Sequence, residues 1–330
     1  MFRLFTLFIC FTMFLFASQK PILTIYTYDS FTASWGAAPK IKKAFEKECN
    51  CTLKFVSTSS AIGALRKIQL EGEHTKADIL LGLDTSIAQT ANATGLFEKH
   101  GLNTSSLVLP TAYSDVYFVP YDYSYFAFVY DANRVKNPPT SFEALADMPK
   151  DFKIVIQDPR SSTSGLGLLL WIKEIYGDKA GEYWKRVAPH ILTITKGWSE
   201  SYGLFLKGEA DMVLSYTTSP AYHMIEENRT NIKAASFPEG HYGQIEVAAV
   251  LRSSKHQTLA KKFLSFMLSP AFADIIPTTN WAYPVVKTAK GLPKAFEQLT
   301  VPSKMLLMDG KKVEARRKAY INEWLDAIQK

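Results

Sequence analysis

The sequence predicts an α/β fold of two lobes that are joined by two crossing segments, with a ligand cleft between them. Short apolar strands alternate with amphipathic helices in residues 22–94 and again in 153–222, as is typical of mainly parallel sheets with helices on both faces. Two extended runs, 116–130 and 242–250, flank the second series and are long enough to cross between lobes. Because ligands bind beyond the carboxyl ends of strands in open α/β sheets, the site is expected between the lobes.

The composition fits a folded chain of this kind. Of the 330 residues, 47% are hydrophobic and 21% are charged, which is enough apolar material for two lobes and argues against disorder. The net charge of +7 is modest, and no run of five or more lysines and arginines occurs. A nucleic-acid partner is therefore not expected.

Residues 1–17 have the features of a signal peptide. Arg3 precedes an apolar run from Leu4 to Phe16, and Ala17 is followed by polar residues. The run is shorter than the ~20 residues that a transmembrane helix needs. We therefore expect export with cleavage after Ala17, and the loss of Arg3 makes the mature net charge +7 − 1 = +6.

The first series starts with residues 22–28, which alternate and are rich in β-forming side chains, as a strand requires. The further elements predicted in chain order are a helix from Pro39, a strand at 52–56, a helix capped by the hydroxyl residues 57–60, a strand at 78–82 and a helix at 86–94. The aromatic-rich run 116–130 is then the first predicted crossing.

The second series leads to the predicted domain boundaries. Its elements are a strand at 153–156, helices at 166–176 and 180–187, a strand at 192–195, and the unit 197–222. The run 242–250 is the second crossing, and helices at 257–267 and 314–328 are expected to return to the first lobe. The predicted division is a signal peptide at 1–17, a first lobe of 18–117 and 249–330, and a second lobe of 118–248 that includes the crossings.

The unit 197–222 indicates where an anion could bind. Trp198 opens an amphipathic helix that Gly208 is placed to end, because glycine accepts the left-handed conformation. A short buried strand at 211–214 then leads to Ser219, a candidate N-cap that is followed by proline at the first helical position. Hydroxyls and tyrosines thus lie where a strand meets a helix N-terminus, and free N–H groups there favour anions.

A second loop of the same type lies at residues 158–167, with the sequence DPRSSTSGLG. It follows a predicted strand and opens a helix, so its hydroxyls and backbone N–H groups suit a phosphate or another anion. An ordinary N-cap loop explains the same residues equally well. The spacing and the lysine of a Walker loop are absent.

Six aromatic residues fall at predicted strand ends, helix starts or loops rather than at helical core spacing: Tyr28, Trp35, Trp198, Tyr216, Tyr222 and Trp281. This placement indicates the wall of a ligand site. Aromatic faces attract delocalised cations by ~0.5–2 kcal/mol each, and Asp29 is a candidate counter-charge. The predicted ligand therefore has a cationic ring, with a phosphate as a further possibility.

The chain resembles the periplasmic thiamine-binding proteins of bacterial thiamine ABC importers over nearly its whole mature length. The segments that show this resemblance are YTYDSF at 26–31, ADILLGLD at 77–84, FVPYDY at 118–123, QDPR at 157–160, TKGWSE at 195–200, LSYTTSPAY at 214–222 and NWAYP at 280–284. The resemblance implies a bilobal, type II-like periplasmic-binding-protein fold. It also implies a periplasmic receptor that captures thiamine and its mono- and diphosphate esters and delivers them to an ABC importer, with the thiamine permease and, through it, its ATPase as partners.

The resemblance implies ligand contacts at Ser162, Thr163 and Trp198 and along Tyr216, Thr217, Thr218 and Ser219, with Tyr28, Tyr222 and Trp281 flanking the rings. Ser60 and Ala61 stand where the family can have aspartate and glycine, which leaves backbone contact as the expected contribution of that loop. No catalytic residue, metal ion or cofactor is expected.

Two other functions stay open at this point. Tyrosines such as Tyr216 and Tyr222 can ligate ferric ion, although no carboxylate or histidine set lies beside them in the sequence. Thiamine-degrading enzymes have a similar architecture and use a cleft cysteine, whereas the mature cysteines here, Cys49 and Cys51, follow a predicted helix. The sequence favours neither a local disulfide between these two cysteines nor a pair of free thiols. A zinc site is not expected, because too few further ligands lie near them in the sequence.

Overall fold

Strands and helices alternate along the chain in the computed structural model, which describes residues 20–329. The strands are β1 (Ile22–Tyr28), β2 (Thr52–Thr58), β3 (Ile79–Asp84), β4 (Val119–Asp131), β5 (Ile154–Gln157), β6 (Ile191–Thr195), β7 (Met212–Tyr216), β8 (Ile232–Ala234), β9 (His241–Val250), β10 (Tyr283–Pro284) and β11 (Met305–Leu306). The helices are α1 (Asp29–Thr32), α2 (Ala37–Cys49), α3 (Ala61–Glu71), α4 (Thr85–Asn92), α5 (Phe142–Ala146), α6 (Thr163–Tyr176), α7 (Ala180–Val187), α8 (Trp198–Leu206), α9 (Pro220–Glu226), α10 (Gln257–Met267), α11 (Pro270–Ala273) and α12 (Gly310–Ile328).

The signal peptide predicted at 1–17 lies outside the described residues. Within 20–329, no helix combines the length and the apolar character that a membrane crossing requires.

The main strands follow the order β2-β1-β3-β9-β4-β7-β5-β6. The pairs toward each end of this order are parallel: β1 with β2 and β3, and β5 with β6 and β7. The central pairs, β3 with β9, β9 with β4 and β4 with β7, are antiparallel. Two parallel groups are thus joined through two central strands, which agrees with the predicted α/β fold of two lobes and two crossings.

Strand β4 passes from one group to the other. Its residues 119–125 pair with β9, and its residues 126–130 pair with β7. The apolar and aromatic side chains of β4 are mostly buried, which explains why thirteen consecutive residues stay extended. The crossing predicted at 116–130 is confirmed, and the run predicted at 242–250 is confirmed as the strand β9, which pairs with both β3 and β4.

Two large clusters of buried residues hold these elements together. In the first, α2 and α10 pack beside β1 and β3, with the ring centroids of Phe45 and Phe263 separated by 5.1 Å. The second begins at α3 and α4 and continues through α6, α7 and α12, where Trp171 lies 4.7 Å from Phe142. Because the second cluster runs through both groups of strands, the hydrophobic core is shared between the lobes.

Helix α12 contacts both parts of the molecule. It lies against α4 on one side and against α6 and α7 on the other. Glu323 pairs with Lys173 at 2.8 Å and accepts from the backbone N–H of Gly181 at 3.1 Å. The predicted assignment of 249–330 to the first lobe therefore includes a helix that also packs on the second, and the domain boundaries stay a prediction.

Local signals explain where several elements begin. The C-terminal helix begins at Gly310 rather than at 314, because the Asp309 carboxylate accepts from the N–H groups of Lys311 and Lys312. Helix α2 begins at Ala37, two residues before Pro39, which is tolerated in the first turn. Cys49 and Cys51, left open by the sequence, form a disulfide where α2 ends and β2 begins.

Candidate functional site

A cavity of about 270 Å³ is lined by residues from both groups of strands. The sequence-predicted residues on its lining are Tyr28, Asp29, Trp35, Ser60, Ala61, Ser162, Thr163, Trp198, Tyr216, Ser219, Tyr222 and Trp281. Residues on the lining that the sequence did not single out as site residues include Asp122, Ser124, Tyr202, Gln244, Glu246 and Asn280. The structure thus brings residues that are more than 250 positions apart, Tyr28 and Trp281, to one cavity.

Thr217 and Thr218 do not reach the cavity. Both are fully buried, the Thr217 N–H donates to the Tyr125 carbonyl at 2.9 Å, and the Thr218 hydroxyl lies 2.8 Å from that of Ser124. The Thr217 N–H and the Thr218 hydroxyl tie the turn after β7 to β4, and neither threonine is on the cavity lining, so ligand contact from their side chains stays a prediction.

Ser219 also differs from the expectation. It stands directly before α9, but its hydroxyl makes no capping hydrogen bond to that helix. The hydroxyl instead lies 2.7 Å from that of Ser215 and accepts from the Tyr216 N–H at 3.2 Å. Ser219 therefore fixes the end of β7, and α9 is a short helix whose N-terminus is not capped by a side chain.

Trp198 forms one wall of the cavity and is held from behind. Its ring stacks on Tyr202 at 4.7 Å with an interplanar angle of 23°, and its indole N–H donates to the Ser215 hydroxyl at 2.9 Å. Tyr202 in turn lies 2.9 Å from His223 Nε2 through its hydroxyl. The exposed face of the indole is therefore presented in one fixed orientation, which lowers the entropic cost of stacking a ligand on it.

A second part of the wall is a group of three aromatic rings. Tyr222 stands 6.3 Å from Trp35 and 5.2 Å from Trp281, the latter at an interplanar angle of 89°. The backbone of Trp281 has a φ of 55°, which is left-handed and costs a bulky residue about 1 kcal/mol or more. Strain of this kind persists where surrounding structure fixes the residue, and here it sets the indole against the cavity.

Tyr28 is positioned by a glycine on the neighbouring strand. Gly82 has a φ of +104°, and a Cβ at that position would lie 2.4 Å from the Tyr28 ring. Only glycine combines this backbone with such a close approach. The Tyr28 hydroxyl then donates to Glu246 at 2.8 Å at the floor of the cavity.

The floor of the cavity contains two carboxyl groups, those of the buried Asp122 and the half-buried Glu246. Glu246 accepts from Tyr28 and Tyr121 at 2.8 and 2.9 Å, and the Asn280 amide donates to Asp122 at 2.6 Å and to Glu246 at 3.1 Å. Burial raises the pKa of both carboxyls above their ordinary values, and for Asp122 the charge of Glu246 adds to the effect. The floor is therefore an electrostatically unfavourable place for two negative charges unless a cation lies beside them.

A sequence signal for this floor existed. Asp122 and Glu246 interrupt the two extended apolar runs that were predicted to cross between the lobes. A charged residue inside a buried strand usually pairs or serves a function. The pairing across β4 and β9 that joins Asp122 and Glu246 could not be read from either run alone.

Ser162 and Ser60 stand at two helix N-termini that face the cavity. Ser162 caps α6 through Gly165, and its hydroxyl lies 2.9 Å from that of Ser164. Ser60 caps α3 by accepting from the Gly63 N–H at 3.0 Å. The capping predicted for 57–60 is confirmed in Ser60, and α6, with fourteen residues, places a full helix dipole behind Ser162 and Thr163.

The rim of the cavity is closed by contacts between the two lobes. The Ser199 hydroxyl donates to Asp29 at 2.9 Å, and Arg66 donates to the carbonyl of Arg160 at 2.8 Å. Gly197 lies so near the Ser59 carbonyl that a Cβ would stand 2.4 Å from its oxygen. These contacts restrict access to the cavity in this conformation.

The described residues offer neither a metal cluster nor a cavity thiol. Within 20–329, no group of three or more histidine, cysteine, aspartate and glutamate side chains is arranged to hold a metal ion. Cys49 and Cys51 are bonded to each other, and neither is among the cavity-lining residues.

Comparisons with known proteins agree with this geometry. The family of bacterial extracellular solute-binding proteins matches residues 29–274. A thiamine-binding periplasmic protein of Escherichia coli is 51% identical over 311 residues, which cover 94% of each chain. A solved structure titled periplasmic thiamin binding protein superposes with a TM-score of 0.92 at 51% identity and covers 94% of this chain and 97% of its own.

A ferric binding protein from Campylobacter jejuni is 20% identical, with a TM-score of 0.75 and coverage of 92% of this chain and 99% of its own. That likeness shows the shared fold alone.

Proposed function

The chain belongs to the bacterial extracellular solute-binding proteins and, within them, to the thiamine-binding periplasmic proteins, and we propose that it captures thiamine in the cavity between its lobes. The observation that best supports this ligand is the combination of aromatic walls with two carboxyls on one floor. Thiamine has two flat heteroaromatic rings, one of which is a permanent cation. Such a molecule suits stacking faces and a negative floor at the same time.

We assign the two ends of the ligand to different parts of the cavity. The rings stack against Trp198 and against the group of Trp35, Tyr222 and Trp281, whose faces attract a delocalised cation. The hydroxyethyl arm, or the phosphate of an ester, points toward Ser162 and Thr163. The N-terminus of α6 stabilises negative charge there, so the mono- and diphosphate esters are proposed as further ligands.

Capture is followed by delivery to a membrane permease and its ATPase. Solute-binding proteins of this family serve ABC importers, and the specific partner proposed here is a thiamine permease. The protein would act in the periplasm after removal of residues 1–17. Opening about β4 and β9 would separate the rim contacts Ser199–Asp29 and Arg66–Arg160 and release the ligand.

The two alternatives have less support. A ferric site needs several hard ligands around one point, whereas Tyr216 is packed on Phe126 at 5.2 Å and Tyr222 on Trp281 at 5.2 Å. An enzyme that degrades thiamine through a cleft thiol would need a cysteine at the cavity, and the thiols of Cys49 and Cys51 are joined elsewhere. Recovery of intact thiamine after incubation with a nucleophile would exclude the enzyme directly.

Titration calorimetry with thiamine tests the proposal. Wild-type protein should bind one thiamine per chain, and Trp198→Ala should weaken binding at least about tenfold because it removes a stacking face. Trp198→Phe is the matched control, since it keeps an aromatic face beside Tyr202 while it loses the indole N–H and part of the stacking area. Unchanged affinity in Trp198→Ala, with a native circular dichroism spectrum, would contradict the assignment of this wall.

A further inference from the structure

Three carboxyl groups lie side by side across the centre of the sheet. Asp84 on β3 is opposite Glu246 on β9, and Glu246 is opposite Asp122 on β4. Residues opposite each other in antiparallel strands project to the same face of a sheet. The three carboxyls therefore form one row, and the cavity lies over its Glu246 and Asp122 members.

The charges that line the cavity have one sign. In the described part of the chain, the charged side chains on the lining are Asp29, Asp122 and Glu246, all acidic, although the whole protein has a net charge of +7. Asp122 is 1% exposed. A protein that is positive overall but lines its cavity with carboxylates is built to receive a cation.

The hydrogen bonds around the pair determine how many protons it can hold. Asp122 and Glu246 are directly opposite each other on β4 and β9 and share the Asn280 amide as a donor, and Tyr28 and Tyr121 donate to Glu246. Two carboxyls that share one amide donor, with Asp122 buried, repel each other when both are ionised, and an empty cavity supplies no cation to offset this. One proton shared between them satisfies the pair without any cation.

We propose that the Asp122–Glu246 pair holds one proton while the cavity is empty and releases it to solvent when a cationic ligand binds. The inference rests on the proposed function, because it takes the thiazolium ring of thiamine as that cation. The step balances: one carboxyl O–H bond breaks, the proton goes to water or buffer, and the second carboxylate charge is compensated by the ligand's positive ring. Asp122 and Glu246 thereby select for ligands with a permanent positive charge.

The tyrosines that face the Asp122–Glu246 pair from neighbouring elements stay neutral, so they supply no positive charge in place of the shared proton. From β1, Tyr28 has its pKa raised by burial and by the charges of Glu246 and Asp122, so it stays protonated as a donor. The pKa of Tyr216 on β7 is raised for the same reasons, and the charge of Asp84 adds to the shift. The pKa of Tyr121 on β4 is raised by burial and by the charge of Glu246.

Asp84 on β3 is the remaining member of the row. Burial raises its pKa to about 7, with the charge of Glu246 adding to the shift. Its Oδ2 atom is buried without a partner. Asp84 therefore titrates near neutral pH beside the pair and does not supply a positive charge.

The affinity of the wild-type protein should depend on pH in one direction. Below the pKa of the pair in the empty cavity, binding must expel a proton, so the association constant should rise by up to about tenfold per pH unit. Above that pKa, the constant should level off. Binding of a neutral analogue, in which a thiophene replaces the thiazolium ring, should expel no proton and should not strengthen as the pH rises.

Calorimetry of wild-type protein with thiamine counts the proton without any mutation. Titrations at the same pH in two buffers with different heats of ionisation, repeated between pH 5.5 and 8 with Mes and Bis-Tris on the acidic side and Hepes and Tris toward pH 8, give the number of protons from the difference in observed heat. The expected result is about one proton released per thiamine on the acidic side of the range. Tight binding with the same heat in both buffers throughout the range would overturn the inference and leave thiamine capture intact.

Two variants identify the source of the proton. Glu246→Gln should still bind thiamine, at least about tenfold more weakly, with no release from this pair. Asp326→Asn is the control, because it removes an exposed carboxylate from α12 and should keep the wild-type proton count. An unchanged count in Glu246→Gln would place the proton elsewhere and overturn the assignment, whereas failure of wild-type protein to bind thiamine at all would overturn the proposed function itself.

Discussion

At the scale of single residues, the side chains of the cavity are fixed by partners behind them. Trp198 is held by Tyr202 and Ser215, and Tyr28 is held by the space that Gly82 leaves open. The ligand therefore meets surfaces that need little ordering on binding, which lowers the conformational entropy cost of capture.

Ser162 is expected to distinguish phosphorylated ligands from thiamine. Replacing it with alanine removes a hydroxyl at the N-terminus of α6, where the phosphate of an ester is placed. Ser162→Ala should weaken the binding of thiamine monophosphate by about tenfold and the binding of thiamine by much less. The reason is that a hydrogen bond to a charged group contributes about 1.5–3 kcal/mol. Parallel titrations of both ligands check this, and equal losses would remove Ser162 from the phosphate site.

Asp84 is expected to make the stability of the empty protein depend on pH. Its pKa is raised to about 7 when folded, above the ordinary value near 3.9 that we assume for the unfolded chain. The folded state thus holds the extra proton, and this contribution to stability is lost as the pH rises from about 4 to about 7. In thermal melts without ligand, the melting temperature of Asp84→Asn should rise relative to that of wild type as the pH goes from 5 to 8. A difference in melting temperature that stays constant, or that moves the other way, would contradict this role of Asp84.

The residue scale also shows the limit of the sequence. The aromatic residues of the site could be predicted because they stand outside helical core spacing. Thr217 and Thr218 share the same segment as Tyr216, yet neither is on the cavity lining, and the Thr218 hydroxyl contacts Ser124 on β4. The direction of a side chain in an irregular turn depends on hydrogen bonds with distant residues such as Ser124, which no local pattern specifies.

At the scale of elements, the loop before α8 controls how closely the lobes approach. Gly197 precedes Trp198 and passes directly over the Ser59 carbonyl from the loop before α3. An added methyl group would meet that backbone oxygen at 2.4 Å, and backbone cannot move aside as a flexible side chain can. The same loop thus positions the stacking indole and the rim.

Gly197→Ala should weaken thiamine binding by holding the rim apart, with little loss of stability. We expect at least about a tenfold loss of affinity because the closed rim is destabilised by more than ~1.4 kcal/mol. Gly181→Ala in α7 is the control, since its new Cβ would meet only the Glu323 side chain of α12, at 3.4 Å. Calorimetry and thermal melts on both variants check this. If Gly197→Ala binds thiamine with wild-type affinity, the rim contact does not contribute to binding.

The elements themselves followed largely from local patterns. Alternating strands and amphipathic helices, together with the caps at Ser60 and Asp309, explain most of the observed order. The one-turn helices α1 and α11 escaped prediction, because four residues give no measurable period. The register between β4 and β9, which creates the acidic floor, depends on pairing across more than 100 residues.

At the scale of the whole molecule, a positive protein surrounds a negative cavity. The net charge of +7 is spread over the chain, whereas the carboxyls of Asp122 and Glu246 are gathered at the centre of the sheet. Two lobes that share β4 and β9 can open without breaking either core strand, so capture and release are expected to be hinge motions. The fold class was predictable from the order of elements.

The position of the last helix was not predictable at this scale. Glu323 pairs with Lys173 of α6 and Trp324 packs on Trp184 of α7, while the same helix also lies against α4. Helix α12 therefore packs on helices from both series of elements, which sequence periodicity alone does not reveal.

A mass spectrum under non-denaturing conditions, recorded after incubation of the purified protein with one equivalent of thiamine, tests the central claim most directly. The account predicts that wild-type protein gains the mass of one thiamine per chain and that Trp198→Ala retains little of it under the same conditions. An unshifted wild-type mass, or an equal shift in both proteins, would contradict the claim that the interlobe cavity binds the vitamin.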